Sequence, residues 1–341
     1  MFEPISTERL VLRQPRLSDM DAFHAYRNEP DVARWQDWPI PFLRERAAVV
    51  IGEAATLSDL GSGEWMMLTI ADSADTEVFG DVFVEFENDG KTGAIGYSLA
   101  TERWGNGYAT EAIAAVVDWL FSVRSLQRVA ALIHPDNLRS ARVVERCGFV
   151  FEGRLRHSMV HRGTPTDDMV YGLTPEISTE WTSRPMGRPD VVELIDVDPK
   201  RLRDLVSLEV HQSQDHLVSP IVASLAQAGF PPTYRTVPEV PWPRMVEADG
   251  ELVGFVMVAK PNAESPDPYL WRLLIDRRHQ QRGIGRRVLQ GVVDEVRSWG
   301  AEGLLVSYVE GVGSPKPFYD AFGFVPTGEI DDGETVARLV L

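Results

Sequence analysis

Cysteine is nearly absent from this sequence, which has one, Cys147, among 341 residues. One thiol cannot form an intramolecular disulfide, and such sparing use of cysteine fits a reducing cytoplasm. The seven histidines are scattered and give no metal-ligand spacing, so the sequence predicts no bound metal. Cys147 follows a helical run in VVERCGF, where we expect a buried and inert thiol.

Long apolar runs are missing as well. No stretch reaches the roughly 18 apolar residues of a transmembrane helix, and the N-terminus MFEPISTERLVLR has no basic region followed by an apolar core, as a secretory signal would. The hydrophobic content of 44% and charged content of 25% are typical of a soluble globular protein. We therefore expect a cytoplasmic protein without a membrane partner, and the length favours two domains.

Basic residues are outnumbered, and the net charge is −17, with an acidic excess in both halves of the chain. A polyanion such as nucleic acid is a poor partner for such a surface, whereas a cationic substrate would be attracted to it. Solubility alone is an equally good reason for the acidity.

The two halves, 1–175 and 190–341, show the same order of predicted strands and helices around a glycine-bearing loop. Between them, the segment 176–189 (EISTEWTSRPMGRP) is polar, carries two prolines and a glycine, and lacks a helical or alternating period, so we expect a linker. The predicted fold class is α/β (α+β): two domains in tandem, each a mixed, mainly antiparallel sheet flanked by helices.

The most specific motif is a loop in the second half, between a strand ending at Asp276 and a helix beginning near Arg286. Glycines in such a loop let the backbone approach a phosphate closely, and the amides at the helix start carry the positive end of the helix dipole. The sequence thus predicts a pyrophosphate site, with added charge from Arg282, Arg286 and Arg287. The loop residues are Gln280, Gln281, Arg282, Gly283, Ile284 and Gly285.

A dinucleotide-binding fingerprint is the rival interpretation of this loop. That motif needs three glycines directly after a strand. Here the third glycine is missing, and about six residues separate the strand from Gly283. The pattern does not favour a dinucleotide.

The loop resembles the acetyl-CoA signature, Arg/Gln-x-x-Gly-x-Gly/Ala, of the GNAT superfamily of N-acetyltransferases. The first half carries a similar run, in which Trp104 stands where the short signature has Arg or Gln: Trp104, Gly105, Asn106, Gly107, Tyr108 and Ala109. With TERLVLR at its start, this half is similar to the branch that acetylates ribosomal-protein N-termini. The second half, with FYDAFGF, is similar to polyamine and other small-amine acetyltransferases, although Ser314 replaces an asparagine common there.

The resemblance implies that acetyl-CoA is the co-substrate and that its acetyl group passes directly to a primary amine. Strand amides before the loop would hold the thioester carbonyl, namely Leu274 and Ile275 in the second half and residues 97–99 in the first. Arg286 and Asn137 would contact the cofactor, and Asn137 is equally well placed to cap a helix.

Resemblance also assigns the catalytic groups. Tyr319 would protonate the departing sulfur, and Ser140 would hydrogen-bond the thiol; a tyrosine packed in the core is the alternative for Tyr319. Glu310 is the candidate general base, with Glu329 and Glu85 as further candidates, although a solvated carboxylate is the commoner role for such residues.

The expected acceptor is a small cationic amine, with polyamine, aminoglycoside-like, amino-sugar and peptide N-terminal acceptors all left open, as is the choice between monomer and homodimer. Two rival function classes also stay open. One half could be a non-catalytic acyl-CoA-binding or scaffold module, or the whole chain a non-enzymatic binding protein. Cofactor stoichiometry and turnover discriminate among them.

Overall fold

The computed structural model describes residues 2–56, 64–231, 233–234 and 237–341. The chain divides into two compact units, Met1–Ser183 and Arg184–Leu341. Within the described ranges, no helix combines the length and apolar content needed to cross a membrane.

An eight-stranded sheet forms the centre of the first unit, in the order β1-β2-β3-β4-β5-β6-β8-β7. All neighbours are antiparallel except β5 and β6, which are parallel and joined through helix α4. The strands are β1 (Ile5–Ser6), β2 (Leu10–Arg13), β3 (Trp65–Asp72), β4 (Val78–Glu87), β5 (Thr92–Leu99), β6 (Arg128–Ile133), β7 (Val150–His161) and β8 (Thr164–Leu173). The helices are α1 (Met20–Arg27), α2 (Pro30–Ala33), α3 (Arg44–Ala54), α4 (Tyr108–Ser122), α5 (Leu138–Arg146) and α6 (Pro175–Ser183).

Helices cover both faces of this sheet. On one face, α4 buries Ile113, Val116 and Leu120, whose spacing puts them on one side of a helix, against strand residues such as Leu68 and Val84. On the other face, α1 and α3 contribute a second apolar cluster. This three-layer arrangement buries both faces of the sheet.

The sequence predicts an irregular linker over 176–189, but the structure shows that part of this segment is helical. Its first part lies in helix α6, whose Trp181 is buried and donates its indole N–H to the Arg146 carbonyl at 3.0 Å. A Cβ on Gly148 would collide with this indole, so a glycine is required there. Helix α6 therefore belongs to the first unit. Its short apolar face gives too little periodicity to show in the sequence.

A seven-stranded sheet forms the centre of the second unit, in the order β16-β17-β15-β14-β13-β12-β9, with only β14 and β15 parallel. The strands of this unit are β9 (Val192–Ile195), β10 (Thr233–Tyr234), β11 (Val237–Pro238), β12 (Pro241–Ala248), β13 (Glu251–Ala259), β14 (Tyr269–Ile275), β15 (Gly303–Tyr308), β16 (Val325–Asp331) and β17 (Glu334–Val340), of which β10 and β11 pair with each other. The helices are α7 (Leu202–Val206), α8 (Ile221–Gly229), α9 (Ile284–Ser298) and α10 (Lys316–Phe322).

The second unit repeats the layers of the first. Helix α9 buries Val288, Val292 and Val296 on one face of the sheet, and α7 and α8 pack on the other face around Phe255 and Met257. The predicted fold, two mixed and mainly antiparallel sheets flanked by helices, is confirmed. A two-residue turn at Asp249-Gly250 joins β12 and β13, with positive φ at both residues as such turns require.

Candidate functional site

Each sheet splits open between its two parallel strands. In the first unit, β5 and β6 pair only from Thr92 to Ala94 of β5. In the second, β14 and β15 pair only at Tyr269 and Leu270 of β14. Beyond those residues the strands diverge, and in the described part of the chain the facing edges of β5 and β14 have backbone groups without a strand partner.

The open edge of β14 is formed by the residues next to Leu274. Asp276 donates its N–H to the Val253 carbonyl, so backbone groups alternate along β14 and those of Leu274 point to β13. Leu273 and Ile275 therefore turn their amides to the open side, and both residues line the adjoining cleft. The sequence predicts that the amides of Leu274 and Ile275 face the open side. The structure places the amide of Ile275 there, together with that of Leu273 instead of Leu274.

The first unit has the same arrangement. Ala100 donates its N–H to the Phe79 carbonyl, so by the same alternation Ser98 points to β4, while Tyr97 and Leu99 face the open side. Strand glycines allow the neighbouring strand to come this close. A Cβ on Gly80 would collide with the Ser98 carbonyl, and one on Gly254 with that of Leu274.

The loops that follow β5 and β14 are fixed by equivalent hydrogen bonds. The Gln280 side-chain amide donates to the Ile275 carbonyl at 3.1 Å and to Gln214 at 2.9 Å. In the first unit, the Trp104 indole donates to the Leu99 carbonyl at 2.9 Å. Each donor lies five residues after the carbonyl that it binds. Trp104 in the first signature thus makes the same hydrogen bond as Gln280 in the second. In each unit this bond holds the loop against the end of the strand.

Left-handed backbone follows each of these donors. Gly105 has a φ of 79° and Gly107 of 80°, and the matching Gln281 and Gly283 have 62° and 77°. Helices α4 and α9 begin directly after Gly107 and Gly283, so the N–H groups of their first turns lack intrahelical partners. Such a helix start binds phosphate well. Of the remaining predicted loop residues, Asn106 lies in the loop between the two glycines, and the others lie in these helix turns: Tyr108 and Ala109 in one unit, and Ile284 and Gly285 in the other.

Because Trp104 and Gln280 make equivalent hydrogen bonds, we expect the indole N–H of Trp104 to contribute more to acetyl-CoA binding than its apolar surface does. In a chain whose second site is disabled, we expect Trp104→Phe to weaken acetyl-CoA binding by the first domain about fivefold, the equivalent of about 1 kcal/mol for one hydrogen bond. Trp104→Gln should weaken it less, although it loses more apolar surface. Calorimetric titration measures both, and a weaker Gln variant would show that packing decides.

The arginines near the second loop have different surroundings. Arg286 lines the cleft, as expected. The Arg282 guanidinium is buried and binds the Gly187 carbonyl and His279, and Arg287 binds the Pro189 and Asp190 carbonyls. The structure therefore contradicts the expected phosphate role of these two side chains. They tie the start of α9 to the chain that leads into the second unit.

In the first unit, Arg9 stands beside the loop. It donates to the Asn106 carbonyl at 2.9 Å, and its guanidinium carbon lies 4.7 Å from the centre of the Tyr108 ring. Glu111, in the first turn of α4, accepts from Arg9 at 2.7 Å, and this contact helps to hold the pKa of Glu111 below its usual value. Sequence reasoning missed Arg9, because its loop partner lies about a hundred residues away.

A large cleft opens at the split in the second unit, with a volume of about 1480 Å³. Tyr319 of α10 lines it, and burial together with the nearby Glu334 raises the pKa of its phenol. A phenol with a raised pKa keeps its proton, as a general acid requires. Tyr319 also packs in the core beside Tyr308 and Phe324, so both roles given to it by the sequence are compatible.

Carboxylates outnumber cations along this cleft. Its cations are Lys260, Arg272 and Arg286, and its acidic residues are Asp215, Glu239, Asp267, Glu329, Asp331, Asp332 and Glu334. Glu334 accepts a 2.5 Å hydrogen bond from Ser307, at the edge of the split. It was not among the candidate bases. Its place at the start of β17, which pairs with β15, brings it to the site.

The candidate bases named from the sequence are not well supported. Glu310 is exposed, accepts a 3.4 Å hydrogen bond from Thr335, and is not among the residues lining the cleft, so its assignment as the base is not supported by the structure. Glu85 is exposed on β4. Glu329 does line the cleft and is exposed to solvent.

The first unit brings Asn137, Ser140 and Tyr97 together. The Asn137 side chain accepts from the Ser140 amide at 3.3 Å, so it caps α5. The Ser140 hydroxyl is 2.8 Å from the Tyr97 hydroxyl, at the open edge of β5. Nearby, Cys147 is buried, as expected, and this burial raises the pKa of its thiol to about 12.

Comparison with known proteins gives the following matches. Residues 9–150 match the family described as acetyltransferase (GNAT) domain, and residues 212–324 the acetyltransferase (GNAT) family. An uncharacterized N-acetyltransferase, YoaA of Bacillus subtilis (strain 168), is 34% identical over 174 residues, which are 51% of this chain and 97% of that protein. A putative ribosomal N-acetyltransferase of the same organism, YdaF, is 34% identical over 87 residues, 26% of this chain and 46% of that protein. A solved GNAT-family acetyltransferase from Bacillus anthracis has 24% identity and a TM-score of 0.46, covering 51% of this chain and 99% of that one.

Proposed function

Because this chain belongs to the GNAT family, with two of its acetyltransferase domains in tandem, we propose that the second domain acetylates the primary amine of a small cationic molecule. The single observation that carries the proposal is the cleft at the β14–β15 split, where a predicted acid and an excess of carboxylates meet. Carboxylates attract and orient a cation before reaction.

The chain's residues fit acetyl-CoA in both domains. Left-handed Gly107 and Gly283, followed by helix starts, form cradles for a pyrophosphate. The open edges of β5 and β14 offer N–H and C=O groups to an extended, amide-bearing chain. When bound, acetyl-CoA supplies an activated acetyl thioester.

In the transfer, a carbon–nitrogen bond forms as the carbon–sulfur bond breaks, the amine loses a proton and the sulfur gains one. Tyr319 is the proposed donor of the proton to sulfur, and Leu273 or Ile275 the proposed amide that stabilises the carbonyl oxygen. Glu334, held by Ser307, is the carboxylate best placed in the cleft to orient the amine and receive its proton, directly or through water.

The first domain has a second candidate function, acetylation of a protein N-terminus. Its β7–β8 hairpin carries exposed apolar side chains, Leu155, Met159 and Val160, which suits contact with a protein. The name of YdaF, a putative ribosomal N-acetyltransferase, points the same way.

Salt and matched single-site variants test these assignments. We expect kcat/KM for a polyamine to fall with rising salt more than that for a monoamine, because exposed charges are screened over about 8–10 Å near physiological ionic strength. The full chain with Gly107→Asp should retain this activity, and the full chain with Gly283→Asp should lose it.

The readout is thiol release with polyamine, monoamine and peptide acceptors. The assignment is wrong if only the Gly283→Asp chain turns over small amines, or if peptides outcompete every small amine in the Gly107→Asp chain.

A further inference from the structure

The cation Arg272 lies among the carboxylates of the cleft in the second unit, on the face of the sheet opposite α9. Arg272 lies on β14 opposite Met257 of β13, and Met257 packs with the α7 and α8 cluster. Its guanidinium donates to Gln227 of α8 at 3.1 Å and to the Trp271 carbonyl at 2.6 Å. Arg272 lines the cleft and is half-buried.

This guanidinium forms no ion pair with any residue that the structure describes, and the Glu334 carboxylate acts on it only from a longer distance. Among the residues that the structure describes, none places a carboxylate oxygen within 4.0 Å of an Arg272 nitrogen, and the buried Arg272 Nε has no hydrogen-bond partner. Two other inward-facing arginines do have such partners: Arg13 is paired with Asp19, and Arg27 with Asp81. A half-buried cation without an ion-pair partner is costly, and burial lowers the pKa of Arg272 although the charge of Glu334 acts in the opposite direction.

The missing anion is not the pyrophosphate of the cofactor. The phosphate cradle starts at Gly283, at the beginning of α9, and α9 packs on the face of the sheet that carries Leu273 and Ile275. Arg272 is on the opposite face, against α8. The cleft passes through the split, so a ligand on the α8 side meets Arg272 together with Glu334.

We propose that the acceptor of the second domain carries a carboxylate beside its amines, as a basic amino acid does, and that Arg272 binds this carboxylate while the acidic residues of the cleft hold the amine. The inference rests on the proposed function and narrows its acceptor class. An arginine fork suits a carboxylate geometrically, because two parallel N–H groups match its two oxygens. The net charge of such an acceptor is still positive, in keeping with the acidic cleft.

Matched substrates test this directly. Lysine and cadaverine differ only by the carboxylate, as do ornithine and putrescine. In the full-length protein we expect kcat/KM to favour the amino acid of each pair by about ten- to a hundredfold, the range of a charge-assisted hydrogen bond. Calorimetric titration of the same pairs against the CoA-loaded protein should show the same order without turnover.

Variants then test whether the preference for amino acids over diamines depends on the Arg272 side chain. Arg272→Gln should reduce the ratio within each pair to near one, and Arg272→Lys, which keeps the charge but loses the fork, should give an intermediate ratio. Arg297→Gln, on the exposed face of α9, removes the same charge outside the cleft and should leave the ratio unchanged. Binding of two acetyl-CoA molecules by each variant shows that its second domain is folded.

Two results overturn the inference alone: bare diamines used as well as the amino acids, or a preference that persists in the folded Arg272→Gln and Arg272→Lys chains. If the second domain acetylates no small amine, the proposed function fails as well.

Discussion

Replacing Gly283 by Asp should abolish acetyl-CoA binding at the second site and lower the cofactor stoichiometry of the chain from two to one. The residue has a φ of 77°, where a side chain costs about 1–3 kcal/mol. The new carboxylate would also stand at the helix start where phosphates bind, and the combined effect is a loss of affinity of about a hundredfold or more. Gly107→Asp should do the same at the first site. Calorimetry gives stoichiometry and affinity together.

Two control variants separate the effect of backbone strain from that of the new negative charge. Gly250→Asp introduces the same side chain at a φ of 82°, in a hairpin turn away from the loops, and has open space around it. It should destabilise the fold modestly and leave binding intact. Gly283→Asn keeps the strain without the charge and should fall between wild type and Gly283→Asp. Unchanged stoichiometry and affinity in Gly283→Asp would mean that this loop is not the phosphate cradle.

Tyr319→Phe should slow turnover by the second domain by about ten- to a thousandfold, the range for loss of a general acid. Acetyl-CoA affinity should barely change, since the ring and its packing are kept. Because burial and Glu334 raise the pKa of this phenol, it stays protonated to a pH above its usual value, and no loss of rate from its deprotonation is expected below that pH.

Tyr308 provides the matched control. Its ring stacks on that of Tyr319 with centres 5.9 Å apart, but its buried hydroxyl has no hydrogen-bond partner among the described residues and does not line the cleft. Tyr308→Phe should therefore leave turnover unchanged. Equal losses in the two variants, or no loss in either, would return Tyr319 to a packing role. Pre-steady-state rates measure the chemical step itself, so that a slow step such as product release does not mask the effect.

Local sequence patterns were enough to predict the tandem fold and the two loops. Helices α4 and α9 have strong apolar periodicity, and the glycines that precede them are needed where the backbone is left-handed. Segments with weak patterns were missed. Strand β16 is exposed along its whole length, so it lacks the alternation of a half-buried strand.

The site was predicted less completely, because its details depend on contacts distant in sequence. An irregularity in the β13–β14 pairing at Trp271 sets which residues of β14 face the split, and no local pattern marks it. Arg282 looks like a phosphate ligand in the sequence, and only the fold shows its guanidinium bound to Gly187. Glu334 and Arg272 likewise gain their places from strand pairing and from α8.

The shared donor position of Trp104 and Gln280 suggests how the two loops diverged. The tryptophan codon UGG becomes the arginine codon CGG by one base change, and CGG becomes the glutamine codon CAG by another. Each of the three side chains has an N–H group to offer the strand-end carbonyl. Exchange of tryptophan for glutamine therefore does not require a variant that lacks the donor, because arginine, which the acetyl-CoA signature also allows, would stand between them.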